Sequence, residues 1–220
     1  PDDPPHGRIC GFPWYDGSVE TPTLDAKIEQ FLARGGPPIV FCLGTAASHS
    51  AGDFHHLAAR AVAALGRRAI LLVGRGVSVP NDLPAGVIGA EYAPFSLLLH
   101  RCAAVVHHGG IGSTAQTLRS GRPALVIPHA HDQFNNALLT HALGVSRALP
   151  RHRVTVARLK RELAALLEDP SYARAAAPLG PRISAEDGAA VAASHIEAMA
   201  SGDETARLRE SALETAASRH

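Results

Sequence analysis

A glycine-rich turn with two histidines and two hydroxyl groups is the part of this sequence best suited to chemistry. It reads His107-His-Gly-Gly-Ile-Gly-Ser-Thr114 and follows a short apolar run at residues 103–106. A strand that passes through glycines into a helix exposes backbone N–H groups and the positive end of the helix dipole, and both attract an anion. Phosphate is the usual anion there, and glycine lets it approach the backbone. The turn therefore predicts a phosphate site in which Ser113 and Thr114 add hydroxyl donors and His107 donates to a phosphate oxygen.

This turn lacks one common phosphate-binding motif and matches the glycine pattern of another. A P-loop requires Gly-Lys-Ser/Thr, and the turn contains no lysine. The dinucleotide fingerprint G-x-G-x-x-A matches residues 110–115, and Asp132 follows Gly112 by twenty residues. That acid should end the next strand, whereas Asp132 lies beyond Pro128 at a predicted helix start. An NAD(P)-binding domain of a dehydrogenase therefore stays open as an alternative.

The histidines and cysteines predict no metal site. His129, His131 and Asp132 lie close together in sequence, but no third clear protein ligand accompanies the two imidazoles. His55 and His56 are expected on the surface of a helix. An odd number of cysteines without tight spacing argues against disulfides or zinc and predicts buried, reduced thiols. The three cysteines are Cys10, Cys42 and Cys102.

Composition limits the class of protein. The chain has 220 residues, of which 46% are hydrophobic and 19% charged, and its net charge is +1 with histidine neutral. These values are ordinary for a globular domain with a sizeable core and give no argument for nucleic acid as a partner. No apolar run is long enough to span a bilayer. We expect a cytoplasmic protein, and the polar, turn-rich start predicts a chain that begins within a longer one.

Hydrophobic periodicity alternates between short strands and helices along the chain. Predicted strands cover residues 39–43, 69–73, 86–90, 103–106 and 124–127. Predicted helices cover residues 26–33, 53–65, 114–120, 132–143 and 155–167, and a capping box at residues 184–187 predicts another helix to about residue 199. Short strands that are apolar throughout and separated by helices indicate a doubly wound, Rossmann-like parallel sheet of the α/β class. Ligands of such sheets bind beyond the carboxyl ends of the strands.

The turn and the segment after the next strand together resemble the signature of family 1 glycosyltransferases, in particular the bacterial group that glycosylates antibiotics, sterols and related small molecules. His-His-Gly-Gly-x-Gly-Ser-Thr is followed by an apolar strand, Pro128 and then His131-Asp132-Gln133. The similarity covers roughly residues 11–167 in family order. Its other segments are Gly11-Phe-Pro13, Phe41-Cys-Leu-Gly-Thr45, Tyr92-Ala-Pro-Phe-Ser-Leu97, Arg119-Ser-Gly-Arg-Pro123 and Asn136-Ala137.

The resemblance implies one half of a GT-B fold and a role for each matching residue. The residues implied to hold the donor diphosphate are His107, Gly109, Gly110, Gly112, Ser113, Thr114 and Thr45. Those implied to bind the sugar are Asp132, Gln133 and His131, and those implied to lie beside the nucleobase are Ala93, Phe95 and Leu97. The donor would be a UDP- or dTDP-linked sugar, with no further cofactor and no metal. Plant members place a Glu on the ribose where this chain has Ala115, so the resemblance does not choose between UDP and dTDP.

The resemblance also implies partners and domain limits. Members transfer the sugar with inversion to a hydroxyl group of a small-molecule acceptor, and their base is a histidine in an N-terminal domain that forms the acceptor cleft. No such segment is found here, so no catalytic residue is expected in this chain. The acceptor domain would belong to the same protein or to a separate subunit. The predicted limits are an interdomain connection at 1–22, a donor-binding domain at 23–200 and an exposed or frayed tail at 201–220.

Two further hypotheses remain open at this point. One is a non-catalytic subunit that binds a nucleotide sugar or a partner and keeps the fold. The other is a nucleotide-sugar epimerase, which the His-Asp-Gln segment fits less well.

Overall fold

The structure is a computed structural model that describes residues 7–15, 22–43 and 53–201. The chain divides into two compact units, one of residues Asp16–Ser184 and one formed by both ends, Pro1–Tyr15 and Ala185–His220. Thr45 and nearly all of the predicted tail lie outside the described residues. The division into a connection, a donor-binding domain and a tail stays a prediction.

The larger unit is built on a six-stranded sheet with the order β3-β2-β1-β4-β5-β6 and parallel pairing throughout. The strands are β1 (Ile39–Cys42), β2 (Ala69–Leu72), β3 (Val87–Ala90), β4 (Ala104–His107), β5 (Ala124–Val126) and β6 (Ser146–Ala148). The direction of winding reverses between β1 and β4, where Cys42 is paired with His107. This is the topological switch point at which open α/β sheets bind their ligands. The predicted doubly wound, Rossmann-like α/β class is confirmed.

Helices cover both faces of this sheet. They are α1 (Ala26–Ala33), α2 (Phe54–Ala64), α3 (Phe95–Leu98), α4 (Ile111–Arg119), α5 (Gln133–Ala142), α6 (Val156–Glu168), α7 (Pro170–Ala176) and α8 (Leu179–Ser184). Successive side chains of a strand point to opposite faces. Phe41 accordingly packs with Phe54 on one face, with ring centroids 6.3 Å apart, while Val40 packs in a second cluster with Ile28. Burial on both faces explains why β1, β2 and β5 are apolar at every position.

Two predicted helix starts differ from the structure. The helix after the glycine turn begins at Ile111 and not at residue 114. The helix predicted from a capping box begins at Gly188, with Asp187 as its N-cap accepting a hydrogen bond from the amide of Ala190. Ser184 instead ends α8. The prediction of the capping box was therefore wrong, because a nearer carboxylate caps the helix.

In the smaller unit, residues near the start of the chain contact the segment that leads into the last described helix, α9 (Gly188–Ala200). Glu186 accepts a hydrogen bond from the amide of Phe12 at 3.2 Å, and its backbone carbonyl accepts one from the indole of Trp14 at 3.0 Å. A Cβ atom on Gly188 would lie 2.6 Å from the backbone of Gly11. The segment around residues 11–14 therefore packs against the turn that precedes α9.

Within the described residues, no helix is both long enough and apolar enough to cross a bilayer.

Candidate functional site

The glycine turn joins β4 to α4 at the carboxyl edge of the sheet. Gly109 has φ 90°, a left-handed conformation that glycine adopts without strain. A Cβ atom at this position would lie 2.9 Å from Val126 Cγ1 and 3.0 Å from the carbonyl oxygen of Gln133. The turn therefore packs closely against β5 and the start of α5. Both this packing and the left-handed backbone conformation require a glycine at position 109.

The backbone amides of the turn divide into engaged and open groups. The amide of Gly109 donates to Nδ1 of His107 at 3.1 Å, and that of Thr114 donates to the carbonyl of Gly110 at 3.0 Å. The amides between them belong to the N-cap residue Gly110 and to the first three residues of α4, 111–113, and have no hydrogen-bond partner among the described residues. They therefore form a group of open donors at the positive end of a helix, the arrangement that binds phosphate.

Gly112 lies within this open group and is exposed. A Cβ atom built on it meets no atom of the described residues within 4 Å. Packing of the described part of the domain therefore does not require glycine here, and the described residues leave the space around this position open.

His107 is buried below the turn, with 1% of its surface exposed. Burial, together with the charge of neighbouring His108, lowers the pKa of His107 to about 3. Since Nδ1 accepts the Gly109 amide, the ring proton is assigned to Nε2. His107 is therefore a neutral imidazole at physiological pH, and attraction for a phosphate comes from the amides and the helix dipole.

The end of the loop after β5 and the first residue of α5 carry the three residues predicted to bind the sugar. The side-chain oxygen of Gln133 accepts from the amides of His129 at 2.8 Å and Ala130 at 3.1 Å, which leaves its NH₂ group as donor. Asp132 is exposed and is the N-cap residue of α5. His131 is exposed with φ 55°, a backbone conformation uncommon for a residue other than glycine. The structure thus brings these residues together with the glycine turn at one edge of the sheet.

Asn136 is a residue of the site to which the sequence assigned no function. Its Nδ2 donates to the carbonyl of Gly109 and to Asp132 Oδ2, each at 2.9 Å. The signal in the sequence is an amide four residues after an acid on a predicted helix, a spacing that brings two side chains together. Asn136 thus connects the glycine turn to the segment predicted to bind the sugar.

Two further histidines flank the site. Burial lowers the pKa of His108, as does the charge of His129, and burial also lowers the pKa of His129 itself. One ring nitrogen of each, His108 Nδ1 and His129 Nε2, is buried without a hydrogen-bond partner. Across the described residues, no three His, Cys, Asp or Glu side chains are grouped to hold a metal ion.

Of the residues predicted to lie beside the nucleobase, Phe95 lines a cavity of about 250 Å³ together with Ser96 and residues of the C-terminal half of α4, including Gln116. Ala93 is buried and Leu97 is half-buried, and neither lines it.

A cation–π pair lies near these residues, and the sequence did not predict it. The guanidinium of Arg75, after β2, lies over the ring of Tyr92, after β3, 4.7 Å from the ring centroid, and Tyr92 is 45% exposed. The roles assigned to all the site residues stay predictions.

Solved structures with the same arrangement identify the class. The chain matches the glycotransferase of kitacinnamycin with a TM-score of 0.71 and 27% identity, covering 86% of this chain and 48% of that one. It matches the spinosyn rhamnosyltransferase SpnG, solved with thymidine diphosphate, with a TM-score of 0.68 and 26% identity over 88% of this chain and 53% of that one. The parallel sheet and its switch point therefore correspond to one half of a GT-B glycosyltransferase fold.

A comparison with protein-family models assigns the chain to one family within this class. Residues 58–199 match the model of the erythromycin biosynthesis protein CIII-like C-terminal domain, and the chain belongs to this family. A curated relative, O-mycaminosyltylonolide 6-deoxyallosyltransferase of Streptomyces fradiae, is 32% identical over 85% of this chain and 43% of its own length. The chain thus spans somewhat less than half the length of that relative.

Proposed function

We propose that the whole protein transfers a sugar from a nucleotide-sugar donor to a hydroxyl group of a small molecule, and that this chain binds the donor. The observation that carries the proposal is the row of open amides at residues 110–113, at the switch point of the sheet. The names of the relatives support it, since they are glycosyltransferases that act in antibiotic biosynthesis.

The open amides also suggest how the reaction is assisted. When the sugar leaves, negative charge builds up on the nucleoside diphosphate. Preorganised N–H donors and a helix dipole stabilise such charge because they need no rearrangement when it develops. A neutral His107 with its proton on Nε2 adds an uncharged donor. As the family resemblance implies, the transfer is proposed to invert the sugar by direct displacement, with the open amides and the dipole of α4 stabilising the leaving diphosphate in place of a metal ion.

Titration with nucleotides tests the proposal. The 220-residue chain should bind dTDP or UDP and not NAD, measured by isothermal titration calorimetry. The complex of SpnG with thymidine diphosphate favours dTDP as the tighter ligand. Binding of NAD alone would support a dehydrogenase, and binding of none of the three would contradict donor binding by this chain.

The position of Asp132 weakens the dehydrogenase alternative. In a dinucleotide site the acid that holds the ribose ends the strand after the fingerprint. Here β5 ends at Val126, and Asp132 lies six residues later at the N-cap of α5. The sheet order is shared with dinucleotide-binding domains, but the acid is on the wrong element.

Asp132, Gln133 and His131 are proposed to bind the sugar of the donor. Asp132→Ala should therefore weaken binding of a dTDP-hexose about tenfold and leave binding of dTDP unchanged, because a hydrogen bond from a hydroxyl to a carboxylate contributes about 1.5–3 kcal/mol. Calorimetric titration with both ligands measures the difference. Asp82→Ala, at another exposed aspartate, is the matched control and should change neither affinity. An equal loss for both ligands would assign Asp132 to the diphosphate instead.

The acceptor site and the catalytic base are proposed to come from outside these 220 residues, from an N-terminal domain of the same protein or from a partner subunit. The match to a C-terminal domain and the partial coverage of the relatives support this proposal. SpnG, solved also with spinosyn aglycone, indicates the acceptor class as a small natural product. Sugar transfer by the 220-residue chain alone, in a single-turnover assay, would contradict it.

A further inference from the structure

The side chain of Asn136 lies between the two parts of the proposed donor site. A primary amide offers two N–H donors. One is used on the carbonyl of Gly109 and the other on Asp132 Oδ2, both at 2.9 Å. Asn136 is half-buried in the first turn of α5, and Gly109 is 27 residues distant in the sequence. Both donors are thus committed to parts of the site that are separate in the chain.

The bond to Gly109 determines where an open amide points. The chain contains no cis peptide bond in its described part, and in a trans peptide the C=O and N–H groups point in opposite directions. A Gly109 carbonyl directed to Asn136 therefore turns the amide of Gly110 away from α5. That amide is the first of the four open donors. Glycine has the greatest backbone freedom of any residue, so this peptide depends on its contacts for a fixed orientation.

The bond to Asp132 holds a carboxylate that is otherwise exposed. Asn136 occupies one of its oxygens and leaves Oδ1 without a hydrogen bond among the described residues. A single amide group therefore sets the orientation of the carboxylate and of the phosphate-binding peptide relative to each other. Fixed geometry of this kind raises affinity because less freedom is lost on binding.

We infer that Asn136 is a positioning residue of the donor site. It directs the amide of Gly110 towards the diphosphate and the carboxylate of Asp132 towards the sugar, without contacting the donor itself. The inference rests on the proposed function, since it assumes that a nucleoside diphosphate binds at residues 110–113.

Three variants of the 220-residue chain test this role. Asn136→Ala removes both donors. Asn136→Asp keeps the shape but places a carboxylate against the Gly109 carbonyl and Asp132. Both should bind dTDP and UDP about tenfold more weakly than the unmodified chain, because a fixed donor is lost from the site. Asn135→Ala, at the exposed neighbour of the same type, is the matched control and should change the affinity less than twofold.

A spectroscopic readout separates positioning from general stability. In ¹⁵N-labelled chain, dTDP should shift the amide resonances of Gly110 and Ser113. In both Asn136 variants the shift at Gly110 should be lost while that at Ser113 persists, and the thermal unfolding curve is recorded alongside. If Asn136→Ala does not fold, Asn136→Asp supplies the same comparison.

The possible results are distinguishable. An unmodified chain that binds neither nucleotide overturns the proposed function itself. Variants that bind as tightly as the unmodified chain, or a Gly110 shift that survives in a folded variant with weakened binding, overturn the positioning role and leave the proposed function standing.

Discussion

Gly112→Ala should leave the chain folded and weaken its binding of dTDP or UDP about 10- to 100-fold. The added methyl group meets no atom of the described residues within 4 Å, so the described part of the domain accommodates it. In an α-helix the Cα–Cβ bond tilts towards the N-terminus, and the methyl group would therefore point into the space in front of the open amides. Displacing a phosphate from one such amide costs about 1.5–3 kcal/mol, which corresponds to the stated loss.

The same substitution should not lower stability. Alanine is preferred to glycine in a helix by roughly 0.5–1 kcal/mol, so the free energy of unfolding should rise or stay constant. Urea unfolding and calorimetric titration on one preparation measure the two effects. Gly36→Ala is the matched control, because a Cβ atom there also meets nothing within 4 Å and the residue lies before β1, outside the turn. A Gly112→Ala chain that binds the nucleotide as tightly as the unmodified chain would place the phosphates elsewhere.

The strands of the core could be predicted from the sequence because one physical cause produces them. Residues of β1 face two separate clusters in alternation, and each cluster excludes polar side chains. Strand ends were therefore predicted to within one residue. The exception is β6, of which the sequence Ser146-Arg147-Ala148 gives no apolar signal. It is held instead by Arg147, which donates to the nearly buried carboxylate of Glu162 on α6, a contact that no local pattern reveals.

The start of α4 was missed for a different reason. Gly110 and Gly112 lower the intrinsic helix preference of the turn, so the periodic pattern begins only at Thr114. In the fold, the helix extends back to Ile111. The hydroxyl and the amide of Thr114 both donate to the carbonyl of Gly110 and close this first turn. The position of the turn in the fold therefore outweighs the low helix propensity of its glycines.

The location of the site was predictable, but its internal hydrogen bonds were not. Glycines, hydroxyls and an acid at the ends of two strands indicate one edge of a parallel sheet. Which amides remain open depends on the burial of His107, since its ring takes the amide of Gly109. The same limit applies to His55, expected on a helix surface but only 6% exposed. One helical turn can bury either of two adjacent histidines, and spacing alone does not say which.

Burial of His107 leads to a prediction about acid stability. Its pKa is about 3 in the folded chain, compared with 6.5 for an ordinary histidine. The unfolded chain therefore takes up a proton below about pH 6.5 while the folded chain does not. The contribution of His107 to the free energy of unfolding is fully present above about pH 6.5. It falls as the pH is lowered and stops falling near pH 3. Between pH 7 and pH 5 the free energy of unfolding should drop by about 2 kcal/mol through this residue.

His107→Gln should remove most of that fall, because glutamine does not titrate and its side-chain oxygen offers an acceptor for the Gly109 amide. Urea unfolding at pH 7, 6 and 5 measures the free energies. Three other histidines with lowered pKa values contribute in the same direction and leave a residual slope; they are His55, His108 and His129. Burial raises the pKa of Glu162, but hydrogen bonds from Arg161 and Arg147 outweigh it and lower the pKa from its ordinary value of 4.5; the stability that this carboxylate contributes is therefore lost only below about pH 4.5.

His152→Gln, at an exposed histidine outside the site, is the matched control for this pH dependence. A slope that His107→Gln does not alter would mean that the imidazole carries a proton in the folded chain. In that case His107 would meet a bound diphosphate as a cation, and donor binding would weaken as the pH rises through the pKa of the ring. A neutral ring predicts no such loss, because the charge of the donor is then balanced by the open amides and the dipole of α4.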